Sequence, residues 1–409
     1  MHELLAAGRT LLPALQELRR DLHANPEIGL HLPRTQAAVI SALADLDLEV
    51  TTGQDTTSVV AVLRGSHPDR LADAPAVLLR GDMDGLPLQE DTDETFASTN
   101  GNMHACGHDL HTAGLVGAAR LLHAHRDRLR GDVVFMFQPG EEGYNGASVM
   151  IDEGVLDAAG ARAIAAFGVH VTTRPRGVVS TKTGTLQAGS NVLRVTIHGS
   201  GGHGSQPQAA DDPVPALAEL ITACQNMITR RIDTFDPIVI SITQLSASDA
   251  VNIIPASASF AATIRTLSES SLGIVRSRSR QLAQGIASAH GCTAEVDFEV
   301  QYPVTVNDDD ETRWALDEVS GLLGPDRVEE LSHPIMPSED FSFVLQEVPG
   351  TYMMLGARRS DVPDAEQADN HSPNVVFDDS VLGDQAALLA HLAIARLQKA
   401  TEAESSTIN

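Results

Sequence analysis

VVFMFQPGEE, Val133–Glu142, is the stretch from which the fold of this chain is read. An unbroken apolar run is what a strand covered on both faces requires, and here it breaks at Pro139-Gly140 into a turn carrying two carboxylates. Three further runs repeat the form: AVLLR (Ala76–Arg80) leads into Gly81-Asp82-Met83-Asp84, Ala163–Val169 leads into His170, and TYMML (Thr351–Leu355) leads through a polar loop to His371. Helical patterns lie between them, including Thr112–His125, for which Asp109 is the expected cap. The alternation predicts an α/β domain: a mixed, largely parallel sheet covered by helices. Ligand sites in such sheets form outside the carboxyl ends of strands, so four strand ends deliver polar side chains to one rim.

After Gly184 the pattern changes. VLRVTIHG, a helical stretch Pro213–Arg231, IVISITQL, ASFAATIRT, a helix Glu269–Ala289 and TAEVDFEV follow in turn. Strand, helix, strand, strand, helix, strand is the order of a ferredoxin-like α+β module, which predicts an inserted domain. The expected bounds are a catalytic domain over 1–187 and 302–400, the insert over 188–301, and a disordered tail over 401–409.

The chain has 409 residues, of which 42% are hydrophobic, and a formal charge of -27. Two domains are the natural division of that length. Lys182 and Lys399 are its only lysines, and the acidic balance repels phosphate backbones, which argues against nucleic acid as a partner. Met1–Leu22 reads as an amphipathic helix rather than a signal peptide, and no apolar run has the length of a membrane span. Cys106, Cys224 and Cys292 are too scattered for a disulfide framework, which points to a reducing cytoplasm.

Chemistry concentrates in HACGHDLH, His104–His111. A thiol and three imidazoles in eight positions form a donor set for a divalent metal, with Cys106 and His108 on one face if the segment is extended. Glu141-Glu142 answers a second need of metal-assisted hydrolysis, one carboxylate on the metal and another free to take a proton from water. His170 and His371 would each pass alone for an ordinary core or loop histidine. Together with Cys106, His108 and Glu142 they make five donors, enough for two ions. Asp82 and Asp84 fit either ligands or partners of metal-bound imidazole. Gly199-Ser200-Gly201-Gly202-His203-Gly204 matches a dinucleotide fingerprint, but no helix opens after it and Asp211-Asp212 would repel a pyrophosphate. The glycines suit a bend that projects His203. Asn252 and Arg265 are either binding groups of the second domain or an ordinary turn asparagine and surface arginine.

Taken in order, Arg20–Gly29 (RDLHANPEIG), Arg80–Pro87 (RGDMDGLP), HACGHDLH, Gln138–Glu142 (QPGEE), Gly202-His203, Asn252–Pro255 (NIIP), Ser338–Phe341 (SEDF) and His371–Pro373 (HSP) resemble the M20 metallopeptidase family. Within it they resemble the amidohydrolase branch of hippurate hydrolases, aminoacylases and auxin-conjugate hydrolases. The resemblance implies a catalytic domain with two divalent ions per subunit, zinc or manganese with cobalt or nickel as alternatives, and a smaller inserted dimerisation domain. It makes Cys106, His108, Glu142, His170 and His371 the metal ligands and Glu141 the general base. His203 would reach the active site of the partner subunit of a homodimer, or of a larger homo-oligomer, and polarise the scissile carbonyl. Asn252 and Arg265 would hold the substrate carboxylate. Gly85 and Gln208 stand where the family often has alanine and histidine.

The expected activity is hydrolysis of N-acyl amino acids to a carboxylic acid and a free amino acid by a metal-activated water. Two alternatives share these motifs: a dipeptidase or carboxypeptidase with the same chemistry, and a non-catalytic dimer that binds small acids.

Overall fold

A computed structural model describes residues 2–70 and 73–407, which form two compact units. Of the described residues, the first comprises 2–70, 73–186, 306–333 and 340–407; the second comprises 187–305 and 334–339.

The first unit is built on one eight-stranded sheet. Its strands are β1 (Glu49–Thr52), β2 (Val59–Leu63), β3 (Ala76–Asp82), β4 (Asp132–Gln138), β5 (Ala163–Thr172), β6 (Val179–Thr181), β7 (Val328–Glu330) and β8 (Gly350–Gly356). They lie in the order β1-β2-β4-β3-β5-β8-β6-β7. The central four are mutually parallel, with register Leu79 opposite Phe135 and Phe167, and Thr351 opposite Phe167. Every residue of β3, β4 and β8 is buried, so these strands show no alternation. That is the property of a sheet covered on both faces, and it is why their sequences are continuous apolar runs.

Helices α1 (His2–His23), α2 (Pro33–Leu43), α3 (His108–Ala124), α4 (Asp309–Leu323) and α5 (Leu382–Thr407) accompany the sheet. α1, α3 and α5 pack on one another, and Gly117 of α3 lies against Leu15 and Ala386, where a Cβ would come within 2.7 Å of Ala386. The small residues of TAGLVGAA thus permit close helix approach. α3 begins at His108, earlier than the periodicity alone indicates. Its cap is Gly107, with no side-chain hydrogen bond, so Asp109 is not the cap. The Asp109 carboxylate instead forms an ion pair with Arg19 (2.6 Å to Nε) and lies 2.8 Å from His23 Nδ1, both of α1.

The second unit contains a four-stranded antiparallel sheet, in the order Val239–Ser246, Ser257–Thr266, Gly189–His198, Thr293–Tyr302. Helices Pro213–Arg231 and Glu269–Ala289 pack together and share its core with Leu193, Phe260 and Phe298. This is the ferredoxin-like module, with both helices at the positions their periodicity indicates.

The second unit takes in residue 187 and residues 302–305 beyond the expected bounds. Residues 334–339 fall in the second unit rather than the first, because the carbonyls of Ile335 and Pro337 accept from the Ala188 N–H, each at 3.1 Å. At the C-terminus the expected tail is helical through Thr407, while residues 408 and 409 lie outside the described residues. Thr401 there is buried and its hydroxyl accepts from Arg130 Nη1.

Candidate metal centre

The site grows from the turn at Gly107. This residue has φ 90°, and a Cβ on it would lie 2.3 Å from Val171 Cγ2, so both its backbone and its surroundings demand glycine. The turn ends in the first residue of α3, and it brings Cys106 and His108 to one centre. They converge through this left-handed turn and not through an extended segment.

Around that turn the strand ends supply the rest. Cys106 Sγ lies 3.4 Å from His170 Nε2 of β5 and 3.3 Å from His371 Nε2. His371 Nε2 lies 3.1 Å from Glu142 Oε1, beyond the end of β4. Three donor sets each have their ligand atoms within 4.8 Å of one another: Cys106, His108 and His170; Cys106, Glu142 and His371; His108, Glu141 and Glu142. All five expected ligands are therefore brought together with Glu141, and the first two sets share the Cys106 sulfur.

Hydrogen bonds orient each donor. His108 Nδ1 donates to the Asp84 carbonyl (2.9 Å), and His170 Nδ1 donates to the Val171 carbonyl (2.7 Å), which turns both Nε2 atoms inward. The carboxylate of Asp84 accepts the N–H groups of Glu141 and Glu142, each at 3.0 Å. Asp82 Oδ1 takes His111 Nδ1 at 2.6 Å. Both aspartates thus act on the side chains and backbone around the donors, the arrangement that fixes imidazole ligands in metal sites.

The electrostatics of the cluster call for a cation. Burial alone would raise the Cys106 thiol, but the His170 imidazole, with His108 beside it, holds it well below the usual thiol range. Hydrogen bonds to Cys106 and Glu142 push His371 up to about 10. Burial would lower His108, yet Asp82, Asp84 and Cys106 raise it well above its ordinary value. Acidic groups in excess are drawing protons onto the imidazoles, and a divalent ion satisfies the same demand. His108 Nε2 is buried with no hydrogen bond, an atom whose desolvation a ligand would offset. Thiolate, imidazole and carboxylate are the donors that suit zinc and its neighbours, so the residues fit the group.

Several contributors are not singled out by sequence reading. Arg80 is buried between Asp82 and Asp340, donates Nε to Gln138 Oε1 (2.9 Å), and sits 3.0 Å from Asp340 Oδ1. Gln138 Nε2 and the Ala147 N–H also donate to the Asp340 carboxylate. Asn370 Nδ2 donates to the carbonyls of Cys106 (3.1 Å) and Val171 (3.2 Å), tying the His371 loop to both ligand segments. His371 itself has φ 68°, a left-handed conformation, and its N–H donates to Ala105 (2.9 Å). The signal for Gln138, Asn370 and Asp340 is adjacency: each lies beside or within a quoted motif.

His203, Asn252 and Arg265 belong to the second unit. His203 is exposed on a two-residue strand opposite Ile253, and the Gly204 N–H donates to the Asn252 carbonyl, so these two candidates are neighbours. His203 Nδ1 accepts from the Ser205 N–H (3.1 Å), which leaves the proton of a neutral ring on Nε2. Arg265 is half-buried, donates to the hydroxyls of Ser190 and Thr263, and has no carboxylate partner among the described residues.

Comparison with known proteins accords with this geometry. The chain is 37% identical to "Thermostable carboxypeptidase 1" of Saccharolobus solfataricus, over 93% of this chain and 94% of that one. It is 36% identical to "IAA-amino acid hydrolase ILR1-like 5" of Arabidopsis thaliana, over 92% and 85% respectively. Among solved structures it superposes with a TM-score of 0.81 on the YXEP protein of Bacillus subtilis, described as a dinuclear metal binding peptidase from the M20 family. That pair is 30% identical, covering 95% of this chain and 99% of the other. Residues 78–395 match the model of peptidase family M20/M25/M40. With its strand-end donors, inserted ferredoxin-like module and this match over most of its length, the chain belongs to peptidase family M20/M25/M40, a family of metal-dependent hydrolases.

Proposed function

We propose that this protein hydrolyses the amide bond of N-acyl amino acids, releasing a carboxylic acid and a free amino acid, with two divalent ions per subunit. The observation that carries the reading is the pair of donor sets, Cys106-His108-His170 and Cys106-Glu142-His371, sharing one sulfur beside the second carboxylate of Glu141. Zinc or manganese suits these donors, with cobalt and nickel as alternatives. Bound ions would supply Lewis-acid polarisation of the carbonyl and a lowered water pKa.

The remaining tasks fall to the chain. Glu141 takes the proton of the attacking water and returns it to the leaving nitrogen, the work of a general base and then acid. Asp84 holds the backbone of Glu141 and Glu142 in place for it. From the second unit, His203 offers an Nε2–H donor to the developing oxyanion of a partner subunit's substrate, in a homodimer formed through that unit. Arg265, half-buried with no acid partner among the described residues, pairs with the carboxylate of the substrate in its own subunit, and Asn252, which lies beside His203 at the other end of the sheet, would reach the substrate of the partner subunit as His203 does. Among the described residues no helix is long and apolar enough to cross a bilayer.

The test is a panel of N-acetyl amino acids, N-benzoyl amino acids and dipeptides, incubated with metal-reconstituted protein and read by amine release. Hydrolysis of one or more N-acyl amino acids with a kcat/KM above that of every dipeptide is expected. Turnover confined to dipeptides would replace this reading by a peptidase.

A further inference from the structure

His111, the last residue of HACGHDLH, has no part in the chemistry described above, yet it is buried at 1% exposure in the middle of the donor cluster. Its proximity to Asp82 and His108, with ligand atoms within 4.8 Å, invites a reading as another metal ligand. Both ring nitrogens are already committed. The Val171 N–H donates to Nε2 at 2.8 Å, and Nδ1 lies 2.6 Å from Asp82 Oδ1. An Nε2 lone pair that accepts a backbone N–H is not available to a cation, and the proton of the neutral ring must then sit on Nδ1, facing the aspartate.

The place of that bond in the sheet gives it meaning. β5 pairs with β3 only as far as Gly168 opposite Arg80, whereas its pairing with β8 continues to Thr172. Beyond Gly168 the edge of β5 on the β3 side has lost its strand partner, and that is where His170 stands. His111 Nε2 takes the N–H of Val171. The carbonyl of Val171 accepts His170 Nδ1 at 2.7 Å and Asn370 Nδ2 at 3.2 Å. A continuous chain of hydrogen bonds therefore runs from Asp82 through the His111 ring and the Val171 backbone to the His170 ring, whose Nε2 lies 3.4 Å from Cys106 Sγ.

We propose that His111 is a positioning residue for His170: a neutral imidazole that substitutes for the missing strand partner of β5 and, through Val171, aims His170 at the metal. This rests on the reading of His170 as a ligand. Contacts that orient a ligating imidazole typically change metal affinity by about 10–100-fold when lost, and His111 acts on His170 at two hydrogen bonds' remove, through Val171.

Three proteins separate the possibilities: His111→Ala, His111→Gln and His170→Ala, each compared with wild type. Zinc affinity is measured by competition with a chromophoric chelator, and exchange of the Val171 amide is followed by NMR in metal-free, 15N-valine-labelled protein. His111→Ala is expected to weaken zinc about 10–100-fold and to speed exchange at Val171 while Val133 and Val134 in β4 stay protected. His111→Gln, whose side-chain carbonyl can accept the same N–H, is expected to recover part of both. If His111→Ala does not fold, the His111→Gln measurements and the 15N shifts of the wild-type ring decide, with protonation at Nδ1 expected. Protonation at Nε2, or wild-type affinity and exchange in His111→Ala while His170→Ala loses zinc, would overturn the proposal. Undiminished zinc binding by His170→Ala would instead remove His170 from the ligands and the proposal with it.

Discussion

Glu141→Gln is expected to lower kcat by about 10²–10⁴-fold, the usual worth of a general acid–base group, while binding metal and substrate as the wild type does. The substitution keeps volume and removes only the ability to take a proton. The Glu141 N–H, held by Asp84 Oδ1 at 3.0 Å, is a backbone group and is untouched. Glu142 reaches toward His371 from the same turn and keeps its own contact. The expected signature is a fall in kcat and kcat/KM together with unchanged metal content, as when an interaction made only in the transition state is lost. Retention of near-normal hydrolysis by Glu141→Gln, measured as amine release on the best substrate of the panel, would take the base role away from this residue.

Arg80→Ala is expected to destabilise the first unit by about 3–5 kcal/mol, because it leaves buried carboxylates without their counter-charge. Arg80 has 1% side-chain exposure and its partners Asp82 and Asp340 have none. Burial alone would raise Asp82, and it is Arg80, with His108 and His111, that holds it well below the ordinary carboxylate range. Removing the guanidinium therefore strands charge in a place water does not reach. A surface pair gives the contrast: Arg194, half-exposed beside Asp297 and Glu299, is expected to change stability by no more than about 1 kcal/mol on replacement by alanine. Urea denaturation of the metal-free proteins, compared by midpoint at constant slope, checks both. A midpoint for Arg80→Ala equal to that of Arg194→Ala would show that the buried network is not needed for stability.

What could be read from the chain alone was local. The apolar runs at Ala76–Arg80 and Val133–Gln138 announce covered strands because burial on both faces leaves no room for polar alternation. The polar residues that follow such runs sit at one rim because parallel strands end on the same side, which is how His170 and Glu141-Glu142 become candidates. The second unit was legible for the same reason, since the periods of its strands and helices switch at the right places.

What could not be read depends on residues far apart in sequence. Arg80 and Asp340 are 260 positions apart, and nothing near either announces the other. Asp109 has the chemistry of a helix cap and the spacing of one, but the left-handed turn at Gly107 starts the helix first and α1 supplies Arg19 and His23 to its carboxylate. His111 stands in the metal motif as a candidate for support and not as a ligand. Its role depends on where β3 stops relative to β5, a register that no local pattern encodes.

The number of divalent ions held per chain, set against hydrolysis by the same sample, bears on the whole reading at once. Protein dialysed against zinc or manganese should hold two ions per chain by elemental analysis. It should release amine from an N-acyl amino acid, lose that activity on chelation, and regain it when metal returns. Undiminished hydrolysis by protein stripped of metal, or two bound ions with no hydrolysis of any N-acyl amino acid or dipeptide, would contradict it.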